Sequence, residues 1–183
     1  ELERNPELLR RYIEMLEREL GHGIRVVAVL EIGSFSNGEG MELSDIDTRV
    51  YVTSDNGYIQ NTEGHSRSAA PENEHDRKFR EFTAEQGALP IISLTFDECN
   101  VPLWPKLKEE LGAAVEFGLA DARYAQFEFD HLGDFPTNEH SFLMQGTIVY
   151  DPTRVFTQKK KELNGQIFPS MAQFYEQRFL GAL

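Results

Sequence analysis

The sequence predicts an α/β protein of the α+β kind, in which a mixed β-sheet is flanked by helices. Residues 24–32 form an almost continuous apolar and β-branched run, which is typical of a strand covered on both faces. Residues 45–52 alternate between polar and apolar side chains, as the period of a strand requires. Before both strands, apolar residues recur at helical spacing over residues 6–20 and predict an amphipathic helix.

The composition indicates a single core domain with an acidic surface. The chain has 183 residues, with 18 Lys and Arg against 31 Asp and Glu, a formal net charge of -13. Such a field repels nucleic acid, so we expect a cationic small molecule, or a nucleotide that arrives with its own metal ion. The single Cys99 cannot form an internal disulfide and is expected to be buried. Because neither a signal peptide nor a long apolar run is recognisable, we expect a cytoplasmic protein without membrane contact.

Periodicity and turn residues predict the remaining elements. Asn5 is suited to cap the first helix, Pro6 to begin it and Gly21 to end it. We place the core domain at residues 1–160 and a C-terminal helical segment, packing on the core or on a partner, at residues 161–183. After the alternating segment at 45–52 we expect a polar insertion at 54–71 and an exposed helix at 71–87, with Phe79 and Phe82 buried. The remaining predicted elements are strands at 89–96, 124–130 and 142–150, a helix at 106–117 and a short helix from Val155.

Two aspartates at the head of the alternating segment are the strongest functional signal. Asp45 and Asp47 are separated by one apolar residue, so on a strand both carboxylates point to the same face, about 7 Å apart along the chain. Mg²⁺ takes oxygen ligands and is usually bound by one or two carboxylates together with substrate phosphates. Two such ions can clamp the attacking and leaving oxygens of a phosphoryl or nucleotidyl displacement. We therefore predict that Asp45 and Asp47 bind Mg²⁺, with Mn²⁺ as a substitute.

A Gly-Ser turn directly after the first predicted strand suits a polyphosphate. Gly33 allows backbone N–H groups to approach phosphate closely, and the hydroxyls of Ser34 and Ser36 can donate hydrogen bonds to its oxygens. Ser44, which precedes Asp45, and Arg49, on the same strand face as the aspartates, complete the nucleotide-binding candidates. Arg49 is either an ion-pair partner of the aspartates or a ligand contact, and the sequence leaves both open.

The order of these features resembles the nucleotidyltransferase superfamily typified by DNA polymerase β. An apolar strand, Gly-Ser, about a dozen residues and then Asp-apolar-Asp is that family's pattern, and FLMQGTIVYDPTRVF at residues 142–156 is similar to its small-molecule branch, which includes the kanamycin and other aminoglycoside nucleotidyltransferases. The resemblance covers roughly residues 6–160, and its specific motifs lie in the first fifty. It implies a nucleotidyltransferase-type fold, triphosphate binding by Gly33 and Ser34, and metal binding by Asp45 and Asp47.

The resemblance also implies a third carboxylate on a later strand, as a metal ligand or as the general base. Glu128 is the first choice, because residues 124–130 alternate and place it on one face with Gln126 and Asp130. Asp130 is the alternate. Asp97 is less favoured, since it stands beside Glu98 at the far end of its strand, where a solvated turn explains it.

Together these features predict a Mg²⁺-dependent enzyme that transfers AMP from ATP, or a nucleoside monophosphate from another triphosphate, to a hydroxyl of a small and cationic acceptor. Two alternatives remain open. One is a protein-modifying or antitoxin-like partner module, suggested by the aromatic residues between 168 and 183, which could also serve a homodimer. The other is a domain that binds nucleotide without turnover.

Overall fold

The protein is described by a computed structural model over residues 2–32, 46–62, 74–87, 89–131 and 138–164. Within these ranges, a mixed four-stranded sheet, a separate pair of strands and six α-helices form an α+β fold, which confirms the predicted class. None of the described helices is both long and apolar enough to cross a membrane.

The elements follow one another along the chain, with strands and helices interspersed. The helices are α1 Pro6–Leu20, α2 Glu74–Gln86, α3 Phe96–Leu111, α4 Ala122–Asp130, α5 Asn138–Gln145 and α6 Val155–Leu163. The strands are β1 Ile24–Ile32, β2 Ile46–Ser54, β3 Tyr58–Thr62, β4 Ile91–Thr95, β5 Val115–Asp121 and β6 Thr147–Tyr150.

The four-stranded sheet has the order β5-β2-β1-β6. Strand β1 pairs antiparallel with both β2 and β6, whereas β2 and β5 run parallel. Strands β3 and β4 form a separate parallel pair. Because β1 is antiparallel to β2, the C-terminal end of β1 and the N-terminal ends of β2 and β5 meet along the edge of the sheet that is formed by strand ends.

Helix α1 forms as its sequence predicts. The side chain of Asn5 accepts a hydrogen bond from the Leu8 N–H at 3.0 Å, and Pro6 occupies the first turn, where its missing N–H is not needed. The helix ends at Gly21, which has a positive φ of 66°. Its apolar stripe, with Tyr12 and Leu16 fully buried, faces the sheet.

Helices cover both faces of the four-stranded sheet, and each face has its own buried apolar cluster. On the first face, α1 and α3 pack against the strands, and the buried residues there include Leu9, Leu16, Val29, Val50, Val52, Leu103, Leu107, Phe117 and Leu119. On the second face, α4, α5 and α6 pack against the strands, with Ala28, Leu30, Tyr51, Ala125, Phe129, Leu143, Phe156 and Leu163.

The predicted helix at 106–117 is wrong at both ends. Helix α3 begins earlier, at Phe96, where Thr95 and Glu98 form a reciprocal capping box. It ends at Leu111, followed by Gly112 in the left-handed conformation with φ 73°. Residues 115–117 belong to β5 instead. An apolar spacing of four continued past the glycine by coincidence and concealed the start of a strand.

The predicted strand at 124–130 is also wrong, because these residues lie in helix α4. Asp121 caps this helix by accepting a hydrogen bond from the Arg123 N–H at 2.9 Å. Similarly, the segment predicted as a strand at 142–150 divides into the end of α5 and the shorter strand β6. The polar insertion predicted at 54–71 contains strand β3 at its beginning.

Several local predictions are confirmed. Phe79 and Phe82 of α2 are buried, in an aromatic cluster with Tyr58 and Tyr124. Cys99 is buried as well, and burial raises the pKa of its thiol to about 11. The division at residue 160 stays a prediction, because residues 165–183 lie outside the described part of the chain.

Among the described strands, β5 lies at one end of the sheet, and a side chain forms hydrogen bonds with part of its outer backbone. Asn100 of α3, which is fully buried, donates to the Phe117 carbonyl at 2.8 Å and accepts from the Phe117 N–H at 3.0 Å. The amide thus reproduces the two hydrogen bonds that a further strand would make. This contact also fixes the β5 backbone at Phe117, the residue that follows Glu116.

We expect Asn100→Ala to lower the free energy of unfolding by about 2–4 kcal/mol, because it leaves the buried N–H and C=O of Phe117 without partners. Urea denaturation followed by circular dichroism measures this loss. Asn164→Ala is the matched control, since Asn164 is exposed, and should change stability by less than about 0.5 kcal/mol. Equal losses for the two variants would contradict the role assigned to Asn100.

Candidate active site

Two carboxylates face each other across β2 and β5. Asp47 pairs in register with Glu116 in the parallel ladder, and neighbouring strands lie about 4.8 Å apart. Both residues are half-buried, whereas the residues on either side of each, Ile46 and Thr48, Val115 and Phe117, are buried. This alternation places the Asp47 and Glu116 side chains on the same face of the sheet.

The end of strand β1 lies directly beside this pair. Ile32 is the register partner of Asp47 in the antiparallel ladder, so the chain leaves β1 at the edge where β2 begins. The predicted site residues Gly33, Ser34, Ser36, Ser44 and Asp45 lie in the connection at 33–45, outside the described residues, and their roles stay predictions.

A hydrogen-bonded chain beneath the sheet holds β2 and β5 together at this point. Thr48, which points to the opposite face from Asp47, donates to the Glu116 carbonyl at 3.1 Å. Its oxygen also lies 2.7 Å from the Tyr12 hydroxyl. Because Thr48 has only one hydroxyl proton, Tyr12 is the donor in this second bond. Burial raises the pKa of Tyr12 and keeps the phenol protonated. Helix α1 thereby fixes the backbone at both carboxylates.

Arg49 forms a buried ion pair with Glu139. Its Nε donates to Glu139 Oε2 at 3.0 Å and its Nη2 donates to Glu139 Oε1, a two-point contact that fixes the guanidinium plane. Burial by itself would lower the pKa of Arg49, but the charge and hydrogen bonds of Glu139 outweigh it and raise that pKa. Removing one partner of such a pair costs about 3–5 kcal/mol, since it leaves the other charge buried and alone.

Two further residues define the position of the guanidinium. Phe142 of α5 lies under it, with the guanidinium carbon 5.1 Å from the ring centroid. In β5, Gly118 is the register partner of Arg49. A Cβ at Gly118 would come within 2.7 Å of Arg49 Nη1, so the absence of a side chain leaves room for the guanidinium.

Two further polar groups are buried on the strand and the helix that carry this ion pair. The Tyr51 hydroxyl is buried near Glu139 without a hydrogen bond of good geometry to any described residue. Burial and then the negative charge of Glu139 raise the pKa of Tyr51, so it stays neutral. The next residue of α5, His140, is also buried, and burial lowers its pKa and favours the neutral imidazole.

The predicted third carboxylates lie on α4 and not on a strand. Glu128 is buried and accepts a hydrogen bond from the Tyr124 hydroxyl at 2.8 Å, one helical turn earlier. Its charge is close enough to act on Arg49 and Tyr51. Asp130, the alternate, is exposed and pairs with Lys159 at 2.7 Å. Residues 124–130 therefore lack the strand geometry that favours Glu128 as the third carboxylate.

The donor chemistry at the sheet edge suits a hard divalent cation. Asp47 and Glu116 offer carboxylate oxygens from adjacent strands, the ligand type and number that Mg²⁺ uses when phosphates and water complete its coordination. In the described ranges, no three His, Cys, Asp or Glu residues come together in a way that would hold a metal ion by themselves.

Sequence reasoning missed Glu116 and Glu139. A signal for Glu116 was present, since Val115, Phe117 and Leu119 alternate with less apolar residues immediately after a Gly-containing stop. What the sequence could not give was the parallel pairing with β2. For Glu139 the chain offers only an acidic residue in the first turn of a short helix, a pattern too common to indicate an arginine partner.

Comparison with known proteins gives little further information. No protein-family model matches the chain, and no curated protein matches it. Among solved structures, the crystal structure of a toxin-antitoxin with AMP-PNP is similar over 93% of this chain and 93% of its own, with 17% sequence identity and a TM-score of 0.35. Agreement this loose carries no argument about fold or ligand.

We expect Thr48→Val to lower the free energy of unfolding by about 1–3 kcal/mol, because the isosteric change leaves the buried Tyr12 hydroxyl without its acceptor and removes the side-chain hydrogen bond to the Glu116 carbonyl. Chemical denaturation of the wild type and the variant measures the loss. In a Tyr12→Phe background the same substitution should cost less, since the hydroxyl that would lose its acceptor is already absent. Strictly additive effects would argue against the hydrogen-bonded chain.

Proposed function

We propose that the protein is a divalent-metal-dependent nucleotidyltransferase, which moves a nucleoside monophosphate from a triphosphate to a hydroxyl of a small acceptor. The observation that carries this proposal is the parallel register of β2 with β5, which brings Glu116 beside Asp47 next to the last residue of β1. At this edge the chain leaves β1 towards the Gly-Ser segment and enters β2 through the Asp-Ile-Asp motif, so carboxylates here would lie beside both.

In this proposal Asp45, Asp47 and Glu116 are the metal ligands, and Glu116 replaces Glu128 as the third carboxylate. Glu116 is half-buried at the edge of the sheet, where phosphate can approach, whereas Glu128 is buried on α4 and accepts a hydrogen bond from Tyr124. When bound, Mg²⁺ or Mn²⁺ would neutralise the phosphate oxygens and the charge that develops on them during transfer.

Gly33, Ser34, Ser36 and Ser44 would bind the triphosphate through N–H and hydroxyl donors. Arg49 is left out of this set, because Glu139 engages its guanidinium at two points. Its position on the same face as Asp47 nevertheless matters for the charge of the site.

The reaction requires a positioned hydroxyl and an acceptor for its proton. The hydroxyl oxygen forms a bond to the α-phosphorus while the bond from that phosphorus to the bridging oxygen breaks, and pyrophosphate leaves. The hydroxyl proton passes to a carboxylate, and Glu116, which lies at the edge of the sheet, is the candidate for this role. ATP is the first nucleotide to test. An acceptor that carries amines suits a chain with a formal net charge of -13.

The test begins with nucleotide binding, since it does not need the acceptor. Calorimetric titration with α,β-methylene-ATP should show binding that depends on Mg²⁺. We expect Asp47→Asn and Glu116→Gln each to weaken metal-dependent binding at least about tenfold, because each removes one charged oxygen ligand. Glu128→Gln, the matched control, should stay within about threefold of the wild type.

The pattern of outcomes separates the alternatives. If only Glu128→Gln weakens metal-dependent binding, the third carboxylate is Glu128 of α4. Unchanged binding in all three variants would refute the site. Pyrophosphate release from ATP and Mg²⁺ with hydroxylated amine acceptors then tests transfer. Metal-dependent binding without release for any acceptor would favour the module that binds nucleotide without turnover.

A further inference from the structure

The position of Arg49 creates an electrostatic problem for a cation site at Asp47. Residues two apart on a strand point to the same face, about 7 Å apart, so the Arg49 side chain projects beside Asp47 from the same surface of β2. An arginine side chain is long enough to span this separation, and its guanidinium binds carboxylates at two points. Left unrestrained, it would compete with a metal ion for Asp47 and Glu116.

The structure binds the guanidinium to a different carboxylate, that of Glu139. Its described hydrogen bonds go to Glu139 of α5, at 3.0 Å for Nε. Phe142, one turn further along the same helix, lies 5.1 Å from the guanidinium carbon. The missing side chain at Gly118 provides the space on the β5 side. Only 13% of the Arg49 side chain and 5% of the Glu139 side chain are exposed.

We propose that Glu139 is a positioning residue that acts through Arg49: it binds and neutralises the guanidinium, so that Asp47 and Glu116 keep their negative charge for a divalent cation. This inference rests on the proposed function, because it presumes that the two carboxylates bind a metal. Glu139 itself touches neither the metal nor the nucleotide. Its effect on the site is the removal of a competing cation.

The two partners of the ion pair should therefore behave differently when each is replaced. A purely structural ion pair predicts similar consequences for either substitution, since both leave one buried charge alone. The positioning role predicts an asymmetry. Glu139→Gln releases a guanidinium beside the carboxylates and weakens divalent binding, whereas Arg49→Met removes the competitor and leaves binding intact.

The experiment is a titration with Mn²⁺ alone, in which electron paramagnetic resonance reports the free ion. We expect the dissociation constant to rise at least about tenfold in Glu139→Gln, as a unit charge brought near two carboxylates predicts, and to stay within about threefold of the wild type in Arg49→Met. The double variant should recover the wild-type constant. Circular dichroism at the titration temperature verifies that each variant is folded.

Gly118→Ala provides a second route that keeps both charges. The added methyl group would come within 2.7 Å of Arg49 Nη1, so the guanidinium must move. We expect weaker Mn²⁺ binding in this variant and no such loss when Arg49→Met is also present. If Glu139→Gln does not fold, this pair of variants gives the same decision.

The outcomes separate this inference from the function on which it rests. Equal losses in Glu139→Gln and Arg49→Met, or an unchanged dissociation constant in Glu139→Gln and Gly118→Ala, would overturn the positioning role alone. A wild type that binds no Mn²⁺, or whose binding survives Asp47→Asn combined with Glu116→Gln, would overturn the proposed metal site and the inference with it.

Discussion

The parallel pairing of β2 with β5 is the constraint on which the rest of the site depends. It joins two segments that are far apart in the sequence and sets Asp47 against Glu116. Contacts on both faces and at the outer edge secure this register: Thr48 to the Glu116 carbonyl, Asn100 to the Phe117 backbone, and Arg49 across Gly118. Since a shift of one residue would turn every side chain to the opposite face, these contacts determine which groups meet at the edge.

The interior beside the site is unusually rich in charge for a covered sheet face. Arg49, Glu128 and Glu139 are all buried or nearly so, and each must be balanced by hydrogen bonds because the surrounding medium solvates it poorly. Arg49 and Glu139 solve this problem for each other, while Tyr124 serves Glu128. Such an arrangement costs desolvation energy, which burial of the neighbouring Phe129 and Phe156 helps to offset.

The parts of this fold that depend on residues close together in the sequence could be predicted from it. The cap at Asn5, the continuous apolar strand β1 and the alternation of β2 all follow from local patterns, and each appears in the structure. The failures came where two periods fitted the same residues. Over 126–130 the polar residues alternate with Phe127 and Phe129 and so satisfy a period of two, and only the cap at Asp121 indicates the helix.

The candidate site divides along the same line. Asp47 could be predicted because the other residues of its motif lie close to it in the sequence. The roles of Glu116 and Glu139 depend on contacts with residues that are distant in the sequence. Parallel pairing in particular has no local signature, because the two strands are joined by a long connection and not by a turn. The glycine at 118 illustrates this limit: its purpose is visible only once Arg49 lies across it.

The amide of Asn100 also has a consequence for association between molecules. An outermost strand normally exposes a row of N–H and C=O groups that can recruit a strand from another chain, which is a common route to aggregation. At Phe117 those groups are already occupied by a side chain from the protein's own helix. The sheet is thereby closed to strand addition at this position, so β5 can keep the neighbouring Glu116 carboxylate half exposed without offering the Phe117 backbone to another chain.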